Sequence, residues 1–458
     1  MISRLVIFGA SGDLTTRYLF PAIIRLFEAK RAPEDLSILA LSRQEWKTSD
    51  YRDHVRKKLT GLPEKFTKTC IKHLMSRIQY KEISDTGNHE QISHALGSLK
   101  DPCIFYLALP PSVFSSTIEA LGELNLHEKC RVMVEKPFGQ DLKSAQSLNR
   151  LLRKTFSEQQ IFRIDHFLGE QTVRNVLGLR FANRLFESSW NNQHIEHVEI
   201  IWDETLALEG RASYYDSSGA LKDMLQNHLL QILCLIGMEA PLSFQERDFH
   251  DQKVILLRAI RQMSPSEVKR CTVRARYEAG TIDNKAIPAY KDEEGVDPTR
   301  KTETFAQVTL SIDNWRWGGV PFTLRSGKAL AQDKFEVAVH FRNVPYQVFG
   351  AKTSVPPNVL RLQFNPDKIG ISVNLNGSGE PFDLKEFELN AAFAKELIPA
   401  YGHLLLDAFA GDPTLFIRDD EVEEMWRIVD PIVKAWEKGQ VKLQSYPAGS
   451  SGPNCEKS

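Results

Sequence analysis

A short glycine-containing turn near the start of the chain constrains the fold more than any other feature. It joins Arg4–Phe8, an apolar run typical of a buried strand, to Leu19–Lys30, whose apolar residues recur at helical spacing. The turn reads GASGDL and offers Gly9, Ser11, Gly12, Asp13 and Leu14 as candidate cofactor-binding residues. A helix N-terminus in this position can bind the pyrophosphate of a dinucleotide. Because the motif is GxxG and not the full GxGxxG, an ordinary strand-to-helix turn is the alternative.

The end of the second predicted strand indicates which dinucleotide the chain binds. Ser37–Leu41 is followed by Ser42 and Arg43, where an NAD-selective site usually carries a carboxylate for the ribose 2′-hydroxyl. The planar, permanently charged guanidinium of Arg43 suits a 2′-phosphate instead. We therefore expect NADP as cofactor, with Ser42 as a further donor. The nearby Glu45 leaves open that the chain also uses NAD more weakly. The alternative for Arg43 is an ordinary solvated charge on the surface.

Strand and helix signals alternate through the first third of the chain. Cys103–Leu109 and Arg131–Glu135 are further buried strands, and this alternation predicts a Rossmann-like α/β domain with a parallel sheet. Period-two runs then predict an α+β domain with a large, mainly antiparallel sheet. The runs are Ile195–Trp202, Phe305–Ile312, Phe335–Phe341, Leu360–Phe364 and Ile369–Leu375. We expect a dinucleotide-binding domain over 1–170, a substrate and dimerisation domain over 171–445, and a poorly ordered tail over 446–458.

Three helices are predicted within the second region. Ser217–Ile236 and Asn390–Ala410 are apolar at helical spacing, and Val422–Trp436 follows an acidic start that suits a helix N-terminus. Pro431 should kink or break the last helix partway.

Composition excludes several classes of function. A net charge of −1 and 26% charged residues give no general attraction to nucleic acid or to an anionic membrane. No apolar stretch is long enough to cross a bilayer, and the N-terminus lacks the layout of a signal peptide. The six cysteines are scattered without a CxxC pair, so we expect no metal and no disulfide framework. A cytoplasmic location fits these features best.

Two polar clusters stand out from apolar surroundings. Asp165 and His166 are adjacent near the expected domain junction, where ligand clefts tend to form. Asp223, Gln226, Asn227 and His228 lie in an otherwise apolar helix, and buried polar groups of that kind are hydrogen-bonded or functional. A lone buried histidine is more often structural, but four polar groups within six positions favour a functional site.

Many segments of the chain, taken in order, resemble segments of glucose-6-phosphate dehydrogenases. The matching segments are Gly9–Leu14, Phe105–Pro111, Glu135–Gly139, Arg163–Gly169, Leu179–Arg184, Glu209–Arg211, Asp223–Gln231 and Leu324–Lys328. The resemblance covers essentially the whole length. It implies oxidation of a hexose at C1, a sugar as small-molecule partner, and assembly as a homodimer or a dimer of dimers. The chain stops before the extension with which long eukaryotic relatives hold a structural NADP, so we expect no such second site.

The resemblance also implies roles for individual residues. His228 would be the base that takes the proton from the C1 hydroxyl, and Asp165 would orient its imidazole. Lys136 would contact both substrate and cofactor, Glu204 and Asp223 would accept hydrogen bonds from ring hydroxyls, and Pro110 would border the cofactor.

The end of the site that would hold the C6 phosphate departs from the family pattern. The family uses the histidine, tyrosine and lysine of RIDHYLGK, whereas this chain keeps His166 but carries Phe167 and Glu170. Tyr18 and Asp333 also stand where relatives often carry bases, while Lys328 is retained. Losing two or three charged hydrogen bonds of roughly 1.5–3 kcal/mol each would weaken phosphate binding severely. We therefore expect altered specificity at C6, for a neutral or amino-bearing hexose.

Two alternatives remain open. The first is ordinary glucose-6-phosphate 1-dehydrogenase activity, in which Glu170 points to solvent and His166 with Lys328 suffice for the phosphate. The second is a non-catalytic homologue that binds nucleotide and regulates, against which Lys136, Asp165 and His228 argue.

Overall fold

The computed structural model describes residues 1–97, 101–208, 212–346, 348–349, 355–379, 383–394 and 396–453. The strands are β1 (Arg4–Phe8), β2 (Ser37–Ser42), β3 (Ile78–Glu82), β4 (Ile104–Leu107), β5 (Arg131–Glu135), β6 (Ile161–Ile164), β7 (Ile195–Asp203), β8 (Thr272–Glu278), β9 (Gly280–Ile282), β10 (Lys285–Ile287), β11 (Phe305–Ser311), β12 (Pro321–Gly327), β13 (Lys334–Phe341), β14 (Val359–Gln363), β15 (Lys368–Asn376), β16 (Leu384–Ala392) and β17 (Leu443–Pro447).

The α-helices are α1 (Phe20–Glu28), α2 (Thr48–Thr60), α3 (Lys68–Arg77), α4 (His89–Leu96), α5 (Phe114–Gly122), α6 (Leu142–Thr155), α7 (Gln171–Phe181), α8 (Arg184–Glu187), α9 (Ala212–Ala220), α10 (Leu230–Gly237), α11 (Glu246–Ala259), α12 (Pro265–Cys271), α13 (Ala400–Ala410) and α14 (Asp419–Glu437). Thr15–Leu19 and Leu221–Leu229 are π-helical. Short 3₁₀ turns lie at Pro111–Val113, Glu158–Gln160, His166–Gly169 and Tyr290–Asp292. Within the described ranges, no helix is both long enough and apolar enough to cross a membrane.

The first compact unit contains residues 1–170, 242–250 and 396–423. Its six strands pair in parallel in the order β3-β2-β1-β4-β5-β6, which confirms the expected Rossmann-like sheet. Both faces are covered, and Leu5–Phe8 of β1 are fully buried. Leu405 and Phe409 of α13 join the same core as Ile23 of α1. The strand order reverses between β1 and β4, where folds of this kind bind dinucleotides.

The second unit contains residues 171–241, 251–395 and 424–458. Its sheet has nine strands in the order β16-β15-β14-β13-β7-β12-β11-β8-β17. Neighbours are antiparallel except β7 with β12 and β8 with β17, so the expectation of a large, mainly antiparallel sheet is confirmed. Each predicted strand of this region lies within one or two residues of an observed one.

Two segments differ from the sequence-based expectation. The predicted helix over Asn390–Ala410 is wrong in its first part, because β16 runs to Ala392 and α13 begins only after Pro399. The alternating residues of β16 pair along their full length with β15, which favours the strand. The segments 242–250 and 396–423 group with the first unit, although the linear division of the chain places them in the second domain.

The tail and the last helix also differ from expectation. The segment 446–453 is packed rather than poorly ordered, because β17 pairs with β8 and the buried Tyr446 donates a hydrogen bond to the carbonyl of Lys328 at 2.7 Å. Residues 454–458 lie outside the described ranges. The break expected at Pro431 does not occur, since α14 continues to Glu437 with Ile428 and Ile432 buried on either side.

Candidate functional site

The carboxyl edge of the parallel sheet gathers the candidate residues of the first unit. Parallel strands end at the same edge, so the turn after β1, Ser42 at the end of β2, and Lys136 after β5 all emerge there. Pro110 follows β4 by three residues, and Asp165 follows β6 directly. The structure thus brings the candidate cofactor residues and Lys136 to one side of one sheet.

Backbone geometry explains the first glycine of the GASGDL turn. Gly9 has φ 76°, and a Cβ there would lie 2.2 Å from the carbonyl oxygen of Ala108. A side chain is therefore excluded where the chain turns past β4. The Gly12 N–H donates to the Gly9 carbonyl at 3.0 Å and closes the turn. Asp13 is exposed and lies 3.7 Å from Lys58, while Ser11 and Leu14 are half-buried.

The two residues at the end of β2 differ in what they leave open. The buried Ser42 hydroxyl lies 2.8 Å from Gln44 Oε1 and 2.8 Å from Tyr80 Oη, so it already has two partners within the chain. Arg43 is exposed and makes no hydrogen bond or ion pair with another described residue. Its guanidinium is therefore available for a 2′-phosphate, and the residues present fit NADP.

A buried carboxylate lies directly before Lys136. Glu135 is 8% exposed and accepts a hydrogen bond from the hydroxyl of Tyr106. Burial raises the pKa of Glu135 to about 7, and the hydroxyls of Tyr106 and Tyr401 with the charge of Lys136 oppose that shift only in part. Asp165 adds a like charge that raises the pKa further. The carboxyl ends of β5 and β6 therefore form one electrostatically coupled group.

Three stacked rings lie beside this group. His166 stacks on Tyr401 with ring centroids 5.6 Å apart and an interplanar angle of 11°. Tyr18 stacks on Tyr401 at 5.6 Å and 30°. Sequence reasoning missed Tyr401, because α13 was expected to belong to the other domain and the sequence Ala-Tyr-Gly carries no functional motif.

The turn after Asp165 is tightly packed. Asp165 is buried and its Oδ1 accepts the N–H of Phe167 at 3.0 Å, which starts the 3₁₀ turn. Phe167 is buried, and a Cβ on Gly169 would lie 2.7 Å from the carbonyl oxygen of Ala400. Glu170 is half-buried at the end of the turn. The backbone here has little freedom. We therefore expect that Phe167 in place of the family's tyrosine, and Glu170 in place of its lysine, alter the chemistry of the turn more than its shape.

In the second unit, β7 and β12 bring Glu204 and Lys328 together. The two strands are parallel with Asp203 opposite Gly327, so the residues that follow them emerge side by side. Lys328 Nζ lies 2.5 Å from Glu204 Oε2. Asp333 Oδ1 accepts the backbone N–H and the hydroxyl of Thr205, at 2.6 and 2.9 Å. Asp333 therefore fixes the loop that carries Glu204.

Asp223 and His228 share one face of a π-helix. In a π-helix the hydrogen bonds join residues five apart, so positions 223 and 228 lie about one turn apart on the same side. An α-helix would point them in different directions. His228 is 1% exposed, and its backbone N–H donates to Asn227 Oδ1 at 2.6 Å. Sequence reasoning found both residues but predicted only an ordinary helix.

The contacts within each unit do not test whether the predicted site residues of the two units lie together. Lys136, Asp165, His166 and Glu170 belong to the first unit, and Glu204, Asp223, His228 and Lys328 to the second. The pairing of Asp165 with His228 therefore stays a prediction. The segment Glu209–Arg211 lies outside the described residues.

Comparison with known proteins gives matches over nearly the full chain. Residues 6–175 match the family model "Glucose-6-phosphate dehydrogenase, NAD binding domain", and residues 177–458 match "Glucose-6-phosphate dehydrogenase, C-terminal domain". A glucose-6-phosphate 1-dehydrogenase of Treponema pallidum is 41% identical, with 98% of this chain and 92% of that protein covered. One of Bacillus subtilis is 36% identical, with 98% and 94% covered.

Solved structures agree with these matches. The crystal structure of glucose-6-phosphate 1-dehydrogenase from Mycobacterium avium has a TM-score of 0.88 at 33% identity, with 99% of this chain and 95% of that chain covered. A glucose-6-phosphate dehydrogenase in complex with its substrate glucose-6-phosphate also has a TM-score of 0.88, at 32% identity, with 99% and 96% covered.

Proposed function

The chain belongs to the glucose-6-phosphate dehydrogenase family, and we propose that it oxidises a hexose at C1 to the lactone with NADP. The observation that carries the proposal is that the C1 half of the site is complete. Every position to which the resemblance gives a role there has the expected residue type: Lys136, Asp165, Glu204, Asp223 and His228. A non-catalytic homologue would not need these residue types.

Each residue has a definite task in this proposal. His228 takes the proton from the C1 hydroxyl, and Asp165 orients the imidazole and stabilises the imidazolium. Lys136 contacts both substrate and cofactor, while Glu204 and Asp223 accept hydrogen bonds from ring hydroxyls. The bound dinucleotide supplies the hydride acceptor. The shared face of Asp223 and His228 on the π-helix supports these roles, because it points a hydroxyl acceptor and the base to the same side.

Selectivity for NADP rests on Arg43 in this proposal, since the Ser42 hydroxyl is already engaged. Arg43→Ala should raise the KM for NADP about 10- to 100-fold, the equivalent of one charged hydrogen bond. The KM for NAD should change little. Arg31→Ala removes another exposed arginine of the same unit and serves as the control. Equal effects on NADP and NAD would contradict the assignment.

Glucose 6-phosphate is the first candidate substrate, because the matching relatives are named glucose-6-phosphate 1-dehydrogenase. The comparisons give no support to altered specificity at C6. A second candidate, a hexose with a hydroxyl or amine at C6, is favoured by Glu170 and Phe167 and by the aromatic stack that includes Tyr18. A carboxylate repels a phosphate dianion, and aromatic faces with a carboxylate suit a cation.

A substrate panel that varies only C6 separates the candidates. Glucose 6-phosphate, glucose, 6-amino-6-deoxyglucose and the 6-sulfonate are compared by kcat/KM from NADPH absorbance. The first candidate predicts the highest value for the phosphate, and the second predicts it for glucose or the amine. In the second case, Glu170→Lys with Phe167→Tyr should raise activity on the phosphate, whereas Glu128→Lys, an exposed charge reversal in the same unit, should not. Nucleotide binding without turnover of any sugar would instead favour the regulatory homologue.

Assembly and location complete the proposal. We place the enzyme in the cytoplasm as a homodimer or a dimer of dimers. Support for assembly comes from β16, an exposed edge strand whose Phe387 and Leu389 are 42% and 57% exposed.

A further inference from the structure

A cavity of about 380 Å³ lies in the second unit, beside the start of the π-helix that carries Asp223 and His228. Its volume is within the range of small-molecule sites. Charged side chains dominate its lining, together with Trp436 and Leu221. None of the roles proposed above uses this cavity.

One carboxylate of the lining is already neutralised. Asp216 is buried and lies 3.0 Å from the guanidinium of Arg300. It also accepts a hydrogen bond from the hydroxyl of Tyr290 at 2.8 Å. Arg300 also lies 3.6 Å from the carboxylate of Asp297, so these groups contribute no positive charge to the cavity.

Three further cations line the cavity without such a partner. The ammonium groups of Lys222 and Lys301 make no hydrogen bond or ion pair with another described residue, although the backbone carbonyl of Lys222 accepts a hydrogen bond from Asn227 Nδ2. Arg274 is 5% exposed, and its Nε donates to the carbonyl of Val441 at 3.0 Å rather than to a carboxylate. The charge of Arg274 is therefore opposed only by the nearby carboxylate of Glu303, with which it forms no ion pair among the described residues.

The remaining carboxylates do not balance these cations. Glu303 is buried, and its Oε1 accepts a hydrogen bond from the backbone N–H of Leu221 at 3.1 Å. Burial raises the pKa of Glu303 to about 7, although the charges of Arg274 and Lys222 lower it in part. At neutral pH it therefore supplies only part of a negative charge. Glu437 also lines the cavity, and its side chain is exposed. The interior thus has an excess of positive charge.

We propose that this cavity binds a compact phosphorylated anion through Lys222, Lys301 and Arg274. Such a ligand supplies the negative charge that the lining lacks, and multiple acceptor oxygens can reach several cations at once. Lys222 directly precedes Asp223 in the chain, and residues of α9 also line the cavity. Binding should therefore stabilise the start of the π-helix.

Pyrophosphate is a suitable probe, measured by calorimetry at constant ionic strength with saturating NADP to occupy the dinucleotide site. The wild-type protein should bind it, and Lys222→Gln with Lys301→Gln should weaken the affinity by about tenfold or more. Lys285→Gln with Lys291→Gln removes two exposed lysines elsewhere in the same unit and should leave the affinity unchanged.

Hydrogen exchange locates the bound probe. Pyrophosphate should slow exchange in α9 and in the first residues of the π-helix Leu221–Leu229 in the wild-type protein and not in the double variant. If the double variant does not fold, Lys301→Gln alone decides, because Lys301 is exposed. Absence of binding by the wild type, or equal affinity in the double variant, would overturn the proposal.

Discussion

At the scale of single residues, the two acids Glu135 and Asp165 show how burial prepares a polar site. They lie at the carboxyl ends of neighbouring strands, one beside two tyrosines and the other at the start of a 3₁₀ turn. The pattern of the sequence was enough to find Asp165, because it lies beside a histidine at the expected junction. Glu135 was seen only as part of a matching segment. Its environment depends on Tyr401, more than 260 residues away in the chain, and sequence periodicity does not reveal such contacts.

Glu135 should make stability depend on pH. Burial raises its pKa from 4.5 to about 7, so the folded state holds the proton more tightly and stability falls as pH rises between these values. The loss is about 3 kcal/mol at most. Glu135→Gln should flatten this part of the dependence. Free energies of unfolding in urea at pH 5 and pH 8 test this, with the exposed Glu119→Gln as control. An identical slope in wild type and Glu135→Gln would contradict it.

At the scale of elements, the sequence predicts many of the strands but not the type of helix that carries His228. The strands β1, β2, β4 and β5 of the parallel sheet and β7, β11, β13, β14 and β15 of the second sheet follow predicted apolar or alternating runs. The strands β3, β6, β8, β12, β16 and β17 were not predicted. The π-helix Leu221–Leu229 is not revealed by such patterns, because apolar spacing does not distinguish its hydrogen bonding from that of an α-helix. Gly219 interrupts α9 shortly before it with a φ of 69°. The strand β16 was missed because Asn390–Ala392 continue smoothly into a helix-like composition.

Gly219 should be essential to this junction. Its φ is 69°, and a Cβ there would lie 2.4 Å from Glu303 Oε1, so Gly219→Ala adds both backbone strain and a clash. We expect a loss of about 1–3 kcal/mol in the free energy of unfolding. Gly178 in α7 is a matched control, because nothing lies within 4 Å of a Cβ built there. Gly178→Ala should stabilise by about 0.5–1 kcal/mol. Equal effects at both positions would rule out this account of Gly219.

At the scale of the whole molecule, the nine-stranded sheet ends in an exposed apolar stripe. Phe387 lies opposite Val373 and Leu389 opposite Ile371, so their side chains share one face of β15 and β16. Large exposed apolar patches on a sheet edge mark association surfaces. The sequence indicated assembly only through resemblance to a family, because the exposure of individual side chains on a strand depends on what covers it.

Charged residues on this stripe should disrupt assembly. Phe387→Lys with Leu389→Glu should convert the proposed dimer into monomers, as measured by size-exclusion chromatography with light scattering. Leu185→Glu, at a residue 77% exposed elsewhere in the second unit, should leave the mass unchanged. If the double variant keeps the wild-type mass, the stripe is not the interface.

The most direct test of the proposed C1 oxidation compares the wild-type protein with His228→Asn on the panel of C6-substituted hexoses. The wild type should reduce NADP with at least one hexose. The variant should lose about a thousandfold in kcat, within the range for removal of a general base, while its affinity for NADP stays the same. A variant that keeps kcat within a few-fold of wild type, or a wild type that reduces NADP with none of these sugars, would contradict the proposed function.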